Sequence, residues 1–279
     1  MRLTAPAVML VAVAACAPAP EAEAPAAPVA PPVAVFTGTE YAFTGPDTLA
    51  AGPTTFRLES AGAELHHITL VRLDEGHTME EFLGAMSAGP PPAWAHMMGG
   101  PNPPAPGASS EATVVLTPGS WGMLCLVPGP DGVPHVAKGM FKAFTVTANE
   151  APAAEPEAHV TMTLQDYDFV LSAPLTAGTH TIRVENPAAQ PHEVFLIKLD
   201  SARTVQDVAD YVASMEGGAV AGPPPGVPMG GIAGMNPGQV NWFSVTLTPG
   251  EYAMLCFVPD MRDGRPHMLH GMMKQFTVP

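Results

Sequence analysis

Apolar and polar positions alternate at a period of two over short runs in much of this chain. TTFRLES (54–60) and HTIRVEN (180–186) have the pattern of strands with one buried face. HHITLVRL (66–73) and HEVFLIKL (192–199) read as strands. So do SWGMLCLV (120–127) and EYAMLCFV (251–258), each after a Pro-Gly turn. FKAFTV (141–146) and KQFTV (274–278) supply a last strand to each set. The period lengthens only in TMEEFLGAM (78–86) and TVQDVADYVASM (204–215), which predict one short helix each with Thr78 and Thr204 as N-caps. Pro/Gly/Met-rich stretches follow both helices and are expected to be loops.

These runs come in two matching sets. Tyr41, Gly52, Arg57 and His66 match Tyr167, Gly178, Arg183 and His192 at an offset of 126 residues. After a small insertion, LTPGSWGMLC matches LTPGEYAMLC, and Cys125 to Cys256 is an offset of 131. The chain is therefore expected to hold two similar domains, 34–148 and 159–279, joined by a Pro/Ala/Glu linker at 149–158. Short strands with one helical insertion each predict an all-β protein of two tandem β-sandwiches.

Composition adjusts this picture in three ways. The 34 Pro and 27 Gly favour turns over a helical bundle. A net charge of −15 argues against nucleic-acid binding, which needs clustered Lys and Arg, and suits a basic partner. The three cysteines, Cys16, Cys125 and Cys256, cannot all pair within the chain. The start, MRLTAPAVMLVAVAAC, has one basic residue and an apolar run too short to span a bilayer. Its VAAC ending resembles the lipobox of bacterial lipoproteins. The resemblance implies a signal peptide at 1–15, lipid on Cys16, and, with Ala17 following, an outer-membrane protein facing the periplasm. Residues 16–33 are Pro/Ala-rich and read as an extended tether of roughly 50 Å, at about 3.1 Å per residue.

The chemistry lies in a doubled order of residues. His66, Cys125, His135 and Met140 recur as His192, Cys256, His267 and Met272. Two imidazoles and a thiolate with a weak axial thioether are the donors of a blue-copper site. His66 is taken over His67 because the repeat aligns it with His192. WAHMMGG around His96, Met97 and Met98 lacks a thiolate and is expected to be a loop rather than a further soft site.

C-x-x-P…PH-x-x-x-GM resembles the type 1 copper loop of copper nitrite reductases, and the two halves are similar to cupredoxins of the plastocyanin and azurin type. That resemblance implies Greek-key sandwiches with up to two type 1 coppers per chain, and His135 and His267 as surface-near electron ports. Pro134, Val136, Pro266, Met268 and Leu269 would form apolar rims around them. The Asn that often follows the first ligand in that family is replaced by His67 and Glu193. Oxidases and nitrite reductases of this type place a His before the cysteine, where this chain has Leu124 and Leu255. No enzymatic activity is therefore expected. The expected role is a membrane-anchored one-electron carrier serving a basic, cytochrome-like redox protein. A copper chaperone or storage protein, and a copper-free cupredoxin-like module, remain open.

Overall fold

The computed structural model describes residues 1, 29–216 and 222–279. Cys16 and the expected signal peptide lie outside the described residues. The described residues form an all-β structure with two α-helices, Met79–Ala88 and Val205–Glu216. None of the described helices is long and apolar enough to cross a membrane. Thr78 caps the first helix reciprocally with Glu81, and Thr204 does the same for the second with Asp207.

Two sheets run through both halves. The eight-stranded sheet is ordered 168–171, 160–165, 178–185, 240–247, 109–116, 52–60, 33–39 and 42–44. The nine-stranded sheet is ordered 273–278, 250–255, 192–199, 226–235, 95–99, 69–73, 119–124, 141–147 and 48–50. In each sheet the first four strands come from the second half of the chain and the rest from the first half. The halves meet edge to edge, at Trp242 with Thr113 and Phe243 with Ala112 in one sheet and at Met235 with Met98 in the other. This pairing leaves neither half with an open edge at the junction.

The junction corrects one expectation. The Pro/Gly/Met-rich stretches are strands, Ala95–Gly99 and Gly226–Met235, rather than loops. Glycine is the reason. Gly100 and Gly231 have φ of +127° and +117°, and a Cβ on either would sit 2.3 Å from Ile68 O or 1.9 Å from Val194 O. These positions are equivalent in the repeat. Only glycine lets the backbone pass this close to its neighbour.

Between the sheets lie two apolar cores. Phe36, Phe56, Leu58, Trp121 and Met123 anchor the first, and Met162, Phe169, Val184, Tyr252 and Met254 the second. Each such side chain, when fully buried, contributes about 1.5–3 kcal/mol. The outer face of the nine-stranded sheet is covered by the helices, with Leu124 beneath the first and Leu255 beneath the second. Strand alternation then turns the next residue, Cys125 or Cys256, into the sandwich core.

Candidate metal centres

Each cysteine sits immediately past the end of a central strand, at the start of a loop tied to itself. Cys125 N–H donates to Met140 O (3.1 Å), Val136 N–H to Cys125 O (2.8 Å), and Met140 N–H to His135 O (2.9 Å). The second loop repeats this with Cys256 N–H to Met272 O (3.2 Å), Met268 N–H to Cys256 O (2.8 Å) and Met272 N–H to His267 O (3.0 Å). A single 3₁₀ turn follows Pro134 or Pro266 and places His135 or His267 at its first position. The loop's backbone thus fixes cysteine, histidine and methionine together. The other histidine arrives from the sheet: His192 begins strand 192–199, and His66 lies just before strand 69–73.

The structure brings His66, Cys125 and His135 together, and likewise His192, Cys256 and His267, with each set's donor atoms within 4.8 Å of one another. All six side chains are fully buried. In the first set, His66 Nδ1 is 3.2 Å from His135 Nδ1, and Cys125 Sγ is 3.5 Å from His135 Nδ1. In the second, Cys256 Sγ is 3.4 Å from His267 Nδ1 and 3.9 Å from His192 Nδ1. Met140 and Met272 are fully buried in the same cores as the cysteines.

Two of the four outward nitrogens hydrogen-bond a carboxylate, and the other two face one beyond hydrogen-bond range. His135 Nε2 is 2.8 Å from Glu64 Oε2, and His192 Nε2 is 2.9 Å from Asp166 Oδ1. His66 Nε2 lies 4.0 Å from Glu40 Oε1, and His267 Nε2 lies 3.8 Å from Asp260 Oδ2. In His135 and His192, a carboxylate that accepts a hydrogen bond from Nε2–H leaves the lone pair on Nδ1, which faces the cysteine sulfur. Burial pushes the Cys125 thiol up to about 11, and it raises Cys256 with help from Glu193. Burial also lowers His66 and His192, and together with His192 it takes His267 down to about 4. Each site is therefore a dry, fully buried cluster of two imidazoles and a thiol that face one another.

An ion bound at about 2.0–2.1 Å from nitrogen and about 2.3 Å from sulfur would hold such donors roughly 3.2–3.8 Å apart. Four of the six donor separations, at 3.2–3.9 Å, are close to that spacing, and all six are within 4.8 Å. A soft thiolate with two imidazoles selects copper or zinc over magnesium or calcium.

Other candidates fall elsewhere. The His67 ring points away from Cys125, toward Asn102 Oδ1 (3.2 Å) and the Leu126 N–H (2.8 Å). His96 bonds Asp74 (3.0 Å), while Met98 enters the sandwich core and Met97 packs under the helix, so the three do not converge. His270 bonds Asp263 (3.2 Å). The expected electron ports need correction: His135 and His267 have no exposed surface. Tyr41 and Tyr167 cover them edge-on, with ring centroids 5.2 and 5.5 Å away. Both tyrosines hold positive φ, 64° and 70°, which is uncommon for a bulky residue and aims the ring over the histidine. Tyr41 bonds Glu64 and Tyr167 bonds Asp260, so the cover is polar. Leu269 and Met261 are exposed nearby.

The sequence reading missed these acids and tyrosine covers, although a signal was present. Glu40-Tyr41 and Asp166-Tyr167 stand at the same offset as the histidines. The acid over the later histidine gave no such signal, because it changes address. Residue 64 supplies it in the first half, where Gly129 leaves room, whereas Gln190 stands at the matching position of the second half and Asp260 supplies the carboxylate.

No protein-family model matches the chain, and no curated protein does. Among solved structures it is similar to auracyanin A, a "blue" copper protein from Chloroflexus aurantiacus, at 25% identity over 42% of this chain and 100% of that one, with a TM-score of 0.30. It is also similar to a multicopper oxidase, at 14% identity over 88% of each chain and a TM-score of 0.25. The third is a Cu-containing nitrite reductase from Thermus scotoductus SA-01, at 10% identity over 88% of this chain and 61% of that one, with a TM-score of 0.24. All three are copper proteins by name. Two are enzymes, and on that finding the expectation of no enzymatic activity is withdrawn.

Proposed function

We propose that the chain is a lipid-anchored copper protein of the bacterial cell envelope that carries electrons one at a time. The observation supporting this reading is the repeated convergence of two Nδ1 atoms and one Sγ at buried, equivalent places in the two halves. His66, Cys125 and His135 would hold one ion with Met140 as weak fourth donor, and His192, Cys256 and His267 a second with Met272. Bound there, copper supplies a couple between Cu(I) and Cu(II).

The chain's own residues favour that couple in three ways. Complete burial of the donors excludes water. The backbone bonds within residues 125–140 and 256–272 hold the donors in place when the ion's charge changes. Glu64 and Asp166 fix the tautomers of His135 and His192. Enclosed donors of this kind favour retention over exchange, hence a carrier over a chaperone or store. Cys16 would carry the lipid, with the body facing the periplasm on the 16–33 tether. The net charge of −15 would attract a basic redox protein at a rate that falls with salt.

The test is copper loading of the full-length protein and its Cys125→Ser and Cys256→Ser variants. The expected result is two coppers in the parent with a visible thiolate charge-transfer band that cycles in a redox titration, and the loss of one copper per variant. Unchanged copper binding in both variants would refute the thiolate sites. Rapid passage of copper to an apo acceptor would replace the carrier by a copper handler.

A further inference from the structure

Between the two centres runs a continuous buried chain of hydrogen bonds. At one end, His67 N–H donates to Cys125 Sγ (3.5 Å), and the His67 ring takes the Leu126 N–H on Nε2 (2.8 Å). The ring's proton therefore sits on Nδ1 and donates to Asn102 Oδ1 (3.2 Å). Asn102 Nδ2 donates onward to Glu193 Oε2 (3.3 Å), and also to Val194 O (3.0 Å) and Ile232 O (3.3 Å). Glu193 Oε1 takes the Phe257 N–H (2.7 Å), and Glu193 N–H donates to Cys256 Sγ (3.4 Å). The chain thus runs from one sulfur to the other. Its three side chains, His67, Asn102 and Glu193, are 7%, 2% and 6% exposed.

We infer that Asn102 couples the two metal centres, so that filling one raises the affinity of the other. This rests on the copper reading above. The cause is pre-organisation. A sulfur that becomes a metal-bound thiolate strengthens and shortens the hydrogen bond it receives. That draws His67 or Glu193 into one position, and each of these also pins the N–H of the residue after its cysteine. Because Asn102 grips both with opposite ends of a planar amide, fixing one fixes the other, and the second ion meets donors already ordered. Coupling of this kind is reciprocal and typically amounts to about 5–150-fold in affinity. Asn102 is a positioning residue here and is not a ligand.

The probe is Cu(I), titrated against a competing chelator in the full-length protein. The affinity of each site is measured alone in Cys125→Ser and Cys256→Ser, and both together in the parent. The expected result is a parent whose second copper binds at least about fivefold tighter than the isolated sites predict. Asn102→Leu should bring the sites back to independence while keeping two coppers and, after oxidation to Cu(II), unchanged visible bands, which a purely structural role would not do. Where Asn102→Leu does not yield folded protein, His67→Asn cuts the same bridge, keeping an acceptor near the Leu126 N–H but falling short of Asn102. Two coppers that bind additively in the parent, or coupling that survives the cut bridge, overturns the inference. Copper binding indifferent to both cysteines overturns the copper reading instead.

Discussion

Replacing Gly231 by alanine tests the close strand approach that borders the junction between the halves. Two costs can be worked from the structure. The φ of +117° is unfavourable for any L side chain, at about 1–3 kcal/mol. The new Cβ would also stand 1.9 Å from Val194 O, so the strands must part by roughly 1.1 Å to reach even the 3.0 Å that real Cβ contacts respect. That movement strains the pairing of Phe195 with Gly231 and the bond from Asn102 N–H to Gly231 O (3.2 Å). Two such backbone bonds are worth about 1 kcal/mol each. The total is about 3–5 kcal/mol. Gly238→Ala is the control, since Gly238 has a φ of +80° but nothing within 4 Å, and strain alone should cost about 1–2 kcal/mol. Guanidinium unfolding of both variants followed by circular dichroism gives the comparison. If Gly231→Ala is no less stable than Gly238→Ala, the close approach is not what glycine serves here, and the account of that approach is wrong.

Glu64→Gln and Asp166→Asn remove the carboxylates hydrogen-bonded to His135 and His192, and each should lower copper affinity at its own site by roughly 10–100-fold. A chelator competition read site by site checks this, and equal affinities would exclude these acids from ordering the ligands. Cys16→Ala should move the protein from the membrane to the soluble fraction, because several acyl chains anchor firmly where none remains. An unchanged membrane-bound fraction on cell fractionation would count against lipidation.

Much of the fold was legible because burial on one face writes itself as alternation. TTFRLES formed as its alternation predicted, whereas HEVFLIKL and the strands that lead to the cysteines are largely apolar runs, because core and helices cover both faces of their sheet. The stretches misread as loops failed for a definite reason: Gly and Pro normally mark turns, whereas here Gly100 and Gly231 serve a close backbone approach to Ile68 and Val194 of the same half. The donors were legible because they repeat in order. Their surroundings were less so. Asn102 sits in a Pro/Gly-rich run with no periodic signal, and its partners are 35 and 91 residues away in sequence. The covering tyrosines depend on a left-handed turn, which the letters Glu-Tyr and Asp-Tyr do not announce.

The migrated acid limits how the molecule can be rebuilt. The two ligand loops look like interchangeable cassettes, since their backbone bonds match one for one. They are not interchangeable, because each loop assumes the charge its own half supplies elsewhere. Grafting residues 256–272 into the first half would bring Asp260 beside Glu64, crowding two like charges over one imidazole. The reverse graft would set Gly129 opposite Gln190 and leave that imidazole with no anion at all. The duplicated halves have become a matched pair, and a working chimera would have to move the strand-entry residue together with the loop.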